Sequence, residues 1–108
     1  MRENKVKVFV SNVVNGTVSR LDFFLNGNTF AVQSVAVIAS NYTQRVDPAT
    51  FEVGPTGLAY DKAKDILYVA STGNNEVFAI AKAGTRYDSV DKGLLIYADQ
   101  VQIGRAHV

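Results

Sequence analysis

Hydrophobic and polar residues alternate over short segments along most of the chain, and no apolar stripe has a helical period. Alternation with a period of two is typical of β-strands that bury one face. The pattern predicts seven strands, separated by polar or glycine-containing segments, at residues 5–12, 17–25, 32–40, 57–61, 66–71, 76–81 and 94–98. We therefore predict an all-β chain, essentially free of helix, whose consecutive strands form antiparallel meanders.

The two halves of the chain repeat one another. The segment Val8–Val18 returns 59 positions later as Leu67–Val77 without a gap, and the same offset aligns Val35–Ala39 with Leu94–Ala98. A fixed period of short β-rich units indicates a repeat architecture, in which no unit buries its apolar face alone. Because the chain holds fewer than two such units, we expect it to be a piece of a larger protein.

Composition excludes several classes of function. The net charge is +1 with scattered Lys and Arg, which argues against an electrostatic surface for nucleic acid or an anionic membrane. The chain has no cysteine, and this excludes disulfides, thiolate metal sites and cysteine nucleophiles. No apolar run reaches the roughly 18 residues that a membrane-spanning helix needs.

Three segments of the second repeat carry a family resemblance. Gly54–Asp61 with its Gly-Pro-Thr-Gly start, the apolar Ile66–Ser71 and the segment Asn74–Ile80 together resemble one NHL-type β-propeller repeat. Val8–Asn12 is similar to the core of related repeats that read Tyr-Val-Thr-Asn, where this chain has Phe-Val-Ser-Asn. The resemblance implies antiparallel four-stranded propeller blades, about one and three-quarter blades of an incomplete β-propeller.

The resemblance also implies a division of the chain. Residues 5–40 would be the three outer strands of one blade, residues 41–56 an expanded loop between blades, and residues 57–98 a complete four-stranded blade. The structural motif residues are those of the turns and of the crowded inner strand: Gly54, Pro55, Gly57, Asn15, Gly16 and Asn74. Each blade would leave an unpaired apolar face, so we expect the isolated chain to self-associate.

The last residues do not continue the repeat. A back-translation of Ile103–Val108 resembles a common sequencing-adapter sequence, which predicts that residues 102–108 are a non-native tail and that the native chain ends near Val101. The alternative is a natural terminus that extends an edge strand. If the tail is not native, the chain's single histidine, His107, has no biological role.

The polar loop that begins at Asn41 is the best candidate for a ligand-binding site. Tyr42 offers a ring and a hydroxyl, Arg45 a forked donor, and Asp47 an acceptor, a set that suits a polar ligand or a peptide. The alternative is that Arg45 and Asp47 form a salt bridge within the loop while Tyr42 packs against the sheet. A second loop, with Thr85, Arg86, Tyr87 and Asp88, has a similar composition.

The sequence is compatible with three functions. The first is a fragment of a propeller binding or scaffold protein that recognises a protein, peptide or saccharide through its loop face. The second is a fragment of a lactonase- or lyase-like propeller enzyme, whose catalytic residues lie mostly in other blades. The third is a self-associating β-repeat protein. The chain itself indicates no catalytic residue, metal site, cofactor or nucleic-acid partner, and the resemblance alone favours a bacterial parent that is periplasmic or extracellular.

Overall fold

The computed structural model describes residues 4–43, 54–72 and 75–98. These ranges contain β-strands and no helix, so none of the described residues form a helix that could cross a membrane. The strands are β1 Asn4–Asn12, β2 Thr17–Asn26, β3 Thr29–Ala39, β4 Pro55–Asp61, β5 Ile66–Ser71, β6 Glu76–Ala81 and β7 Leu94–Ala98. The predicted all-β class is confirmed. The predicted roles of Arg45, Asp47, Asn74 and the tail 102–108 lie outside the described residues.

The strands form two antiparallel sheets. Sheet 1 has the order β1-β2-β3, and sheet 2 has the order β4-β5-β6-β7. Within each sheet, every strand thus pairs with its neighbour in sequence, as the predicted meanders require. Four strands are longer than the alternation indicated: β1 and β2 each by one residue, and β3 and β4 because they begin at Thr29 and Pro55. The arrangement of these sheets as propeller blades stays a prediction.

The internal repeat is preserved in the strand pairing. In sheet 1, Lys7–Asn12 pairs with Thr17–Asp22. In sheet 2, Ile66–Ser71 pairs with Glu76–Ala81 in the same register, displaced by the same 59 positions. One turn position also agrees, since Gly16 and the equivalent Asn75 both have a positive φ, 66° and 55°. Equal registers make the two pairs of strands structural copies of one unit.

In each unit, the pairing of the third strand with the second is interrupted by a β-bulge at an equivalent position. The pairing of β2 with β3 is shifted between Val18 and Ser19, and that of β6 with β7 between Val77 and Phe78. These positions are again 59 apart. A β-bulge bends the strand and increases its twist. The two bends are therefore at equivalent positions, but the third strands pair in different registers: Val18 opposes Ala39, whereas Val77 opposes Tyr97, the equivalent of Ile38.

Each sheet has two faces, because successive strand residues point to opposite sides. We call the side with Phe9 and Arg20 the front of sheet 1, and the repeat-equivalent side with Tyr68 and Ala79 the front of sheet 2. The opposite sides are the backs. Directly paired residues share a side, so Val35, opposite Leu21, lies on the back of sheet 1.

The core lies between the front of sheet 1 and the back of sheet 2. Phe9 on the first meets Tyr60 on the second, with 4.8 Å between the ring centroids. The buried apolar residues of this core are Val18, Ala36, Ile38, Ala39, Tyr42, Leu67, Val69, Phe78, Ile80 and Ala83. The two units thus meet through non-equivalent faces, front against back, rather than through the same face of each.

Candidate functional site

Two loops come together where the sheets meet. The first is the segment Ser40–Thr43 that follows β3, and the second is residues 82–93, which connect β6 to β7. The amide of Ser40 donates to the carbonyl of Asp91 at 2.7 Å, and the amide of Val90 donates to the carbonyl of Ile38 at 3.1 Å. We call these two segments the two-loop surface. It joins the two segments whose composition indicated a ligand site.

Tyr42 fastens the first loop to sheet 2. Its side chain is 2% exposed, and its ring lies edge-on to Phe78 with centroids 5.5 Å apart. Its hydroxyl donates to the carbonyl of Lys92 at 2.8 Å. Burial, together with the negative charge of Asp91, raises the pKa of Tyr42 well above its ordinary value. Tyr42 therefore packs against the sheet, which was the second of its two predicted alternatives, and it offers no exposed ring to a ligand.

Exposed polar side chains cover the junction of the two loops. The side-chain amide of Asn41 donates to the Asp91 carboxylate at 2.6 Å. The hydroxyls of Ser40 and Ser89 share a hydrogen bond of 2.9 Å. Asn41 and Asp91 have positive φ values of 68° and 60°, a conformation that Asn and Asp adopt more readily than most residues. The hydrogen bond from Asn41 holds the pKa of Asp91 below its usual range. The surface therefore presents an ionised carboxylate with neighbouring amide and hydroxyl groups.

Tyr87 is the exposed aromatic of the two-loop surface. Its side chain is 67% exposed, and the guanidinium carbon of Arg20 lies 4.8 Å from its ring centroid. A guanidinium at this distance attracts the face of an aromatic ring. On the next residue, the Asp88 carboxylate lies 3.4 Å from the Arg86 guanidinium and is largely in solvent. The loop thus presents a positioned aromatic ring beside an accessible acceptor.

Arg20 supports this ring from within the protein. It is fully buried, and its Nη1 donates to the carbonyls of Ala83 and Arg86, each at 2.7 Å. Its Nε donates to both oxygens of Asp22, at 3.0 and 3.2 Å. Since Arg20 belongs to sheet 1 and the two carbonyls belong to the loop of sheet 2, one side chain fixes the loop to the opposite sheet.

Asp22 is the counterion of this buried arginine. Its carboxylate also accepts from Ser34 at 2.7 Å and lies 3.3 Å from the Lys7 ammonium. Burial by itself raises the pKa of Asp22, but the hydrogen bonds from Ser34 and Arg20 and the charges of Arg20 and Lys7 outweigh it, so the pKa is lowered. The network was not among the features predicted from the sequence. The available signal was a pair of charged residues two positions apart on one side of a strand.

The glycine-containing motifs have structural roles. Gly54 is buried, its carbonyl accepts from the amide of Thr72 at 2.9 Å, and a Cβ there would lie 2.9 Å from the side chain of Val13. Pro55 then begins β4. At Gly57, a Cβ would approach that of Ala70 to 3.3 Å. Gly16 closes the first hairpin, where its amide donates to the carbonyl of Asn12 at 2.8 Å. These contacts agree with turn and strand-entry roles.

The two-loop surface is identified neither by a group of metal ligands nor by similarity to a known protein. Within the described ranges, no three His, Cys, Asp or Glu residues are grouped so that they could hold a metal ion. No protein-family model, curated protein or solved structure matches the chain.

Proposed function

We propose that the chain is part of a β-propeller-type repeat protein of the binding or scaffold class, and that its two-loop surface recognises a protein, peptide or saccharide. The front-to-back packing of two equivalent units supports the repeat array. In a radial or linear array every unit meets its neighbours through two different faces, whereas a two-fold sandwich would join the same face of each unit.

One observation carries the binding function: Tyr87 is two-thirds exposed while the buried Arg20 fixes its position. An aromatic ring held in place loses little conformational entropy when a ligand packs on it, which is why Tyr is common at recognition sites. The Asp88 and Asp91 carboxylates and the Ser40 and Ser89 hydroxyls lie on the same two segments. Together they supply acceptors for ligand hydroxyl or amide groups.

The experiment is a screen of the complete 108-residue chain against glycan and linear-peptide libraries, followed by calorimetric titration of each hit. Titration of a monovalent ligand removes any contribution from multivalency. We expect Tyr87→Ala to weaken binding at least tenfold and Tyr87→Phe to retain most of it, since the ring provides the stacking surface.

The matched control is Tyr97→Ala, which removes a similarly exposed tyrosine on β7, outside the two-loop surface. It should leave the titration unchanged. Hits whose affinity is insensitive to Tyr87→Ala, or a screen without any hit, would contradict the proposed function.

A further inference from the structure

We propose that the chain binds a second copy of itself head to tail, with the back of sheet 1 in one copy packed on the front of sheet 2 in the next. This inference goes beyond the proposed function and does not depend on the two-loop surface. It rests on the repeat, on the faces that the repeat makes equivalent, and on which of those faces are already buried within one chain.

The contact inside the chain provides the template. Val69 on the back of sheet 2 is fully buried, and its repeat equivalent on the back of sheet 1 is Val10, which is 36% exposed. Leu67 is 1% exposed, and its equivalent Val8 is 40% exposed. The back of sheet 1 therefore repeats a surface that is covered in sheet 2, yet within residues 4–43, 54–72 and 75–98 its Val8, Val10 and Val35 stay exposed.

The front faces show the reverse relation. Val18 on the front of sheet 1 is fully buried against sheet 2, whereas its equivalent Val77 lies on the front of sheet 2 and lines an open groove. The groove has a volume of about 330 Å³. Its lining residues are Gly57, Leu58, Ala59, Tyr68, Ala70 and Val77. Over the two hairpin strands, each uncovered face is thus the repeat equivalent of one side of the existing interface, whereas β7 lies one residue out of the repeat register, which places Leu94, the equivalent of Val35, on the front.

Both uncovered faces are apolar. On the back of sheet 1, the alternation of β1 places Val6, Val8 and Val10 together, whereas Lys5 and Lys7 belong to the front. Strands β2 and β3 add apolar residues to that back, and the exposed ones include Val35 at 60% and Val37 at 44%. On the front of sheet 2, Leu94 is 69% exposed and Tyr97 is 57% exposed. Contiguous exposed apolar surfaces of this kind mark protein contacts.

The occupant follows from the complementarity of the two faces. Within the chain, the front of sheet 1 packs on the back of sheet 2. A second copy offers the same kind of contact, because the front of its sheet 2 can pack on the back of sheet 1. Two different faces make a heterologous contact, which leaves one face free at each end and permits further copies to add. The contact has no arginine equivalent to Arg20, because position 79 is Ala, so it depends on apolar burial and persists in high salt.

The experiment uses one variant blocked on each face and examines them separately and mixed. Val35→Glu places a charge on the back of sheet 1, and Tyr97→Glu places one on the front of sheet 2; both positions are more than half exposed, so the fold tolerates them. Circular dichroism checks the fold of each variant, and Val8→Lys and Leu94→Lys serve as second variants of the two faces. Val14→Lys, at a turn residue 59% exposed outside both faces, is the matched control.

Sedimentation velocity should show species larger than a dimer for the unmodified chain and for Val14→Lys as concentration rises. Each blocked variant alone should be monomeric, and their equimolar mixture should form a species of twice the monomer mass. A monomeric unmodified chain would overturn the proposal. So would a mixture that stays monomeric, or one blocked variant that still dimerises alone, since this last result indicates contact between like faces.

Discussion

Arg20 and Asp22 lie two residues apart on the same side of β2, and the buried guanidinium donates to both carboxylate oxygens. The pair sits where the front of sheet 1 meets sheet 2, among apolar neighbours such as Val18 and Ala36. The counterion and the two backbone carbonyls that accept from Nη1 offset the cost of burying this cation. This arrangement fixes the position of the second loop and, through it, that of Tyr87.

Removal of the arginine should therefore destabilise the whole two-sheet structure. Arg20→Met leaves the Asp22 carboxylate without its buried partner, a change that typically costs about 3–5 kcal/mol. Urea denaturation at low protein concentration measures the loss. The double variant Arg20→Met/Asp22→Leu should recover at least half of it, because no buried charge remains unpaired and the Lys7 ammonium is accessible to water. Lys7→Met is the control: the Lys7 side chain is 41% exposed, so its ion pair should contribute less than about 1 kcal/mol.

The lowered pKa of Asp22 predicts a loss of stability in acid. A carboxyl whose pKa is lower in the folded than in the unfolded chain stabilises the fold fully above its unfolded pKa, about 3.9 for Asp. This contribution disappears as the pH falls through the lower, folded pKa. The difference in free energy of unfolding between the unmodified chain and Asp22→Asn should thus be constant near pH 6 and shrink below pH 4. A difference that stays constant down to pH 2 would contradict it.

The strand positions were predictable from the sequence, because alternation and turn residues are local signals. The front-to-back packing follows from the repeat only once the structure shows which faces are buried. The contact of the Arg20–Asp22 pair with the second loop was not predictable, since Ala83 and Arg86 are more than 60 residues away and contribute only backbone carbonyls. Tyr42 was ambiguous for a similar reason: a tyrosine in a polar loop suits a ligand or a core, and the distant Phe78 decides for the core.

Tyr42 provides a test of how the first loop is held. Tyr42→Phe keeps the ring against Phe78 but leaves the carbonyl of Lys92 without its donor, and the loss of one such hydrogen bond costs about 1 kcal/mol. Tyr42→Ala also empties the ring's place in the core and should cost about 3–5 kcal/mol. Thermal denaturation of the two variants measures the difference. Tyr87→Phe is the control, and it should leave stability unchanged because that side chain is largely in solvent.

Two glycines with similar backbone conformations should respond differently to alanine. Gly27 and Gly93 both have a positive φ, 63° and 88°, which costs an alanine about 1–2 kcal/mol.

At Gly27, in the turn between β2 and β3, a Cβ would meet nothing within 4 Å. At Gly93, just before β7, it would lie 2.7 Å from the carbonyl oxygen of Ala79, on the neighbouring strand β6. Backbone cannot move aside as a flexible side chain can, so overlap should add about 1–3 kcal/mol to the cost of Gly93→Ala. Urea denaturation of both variants compares the two losses directly. Equal losses would show that β7 shifts freely along β6, and that the close approach at Gly93 does not hold the last strand in register.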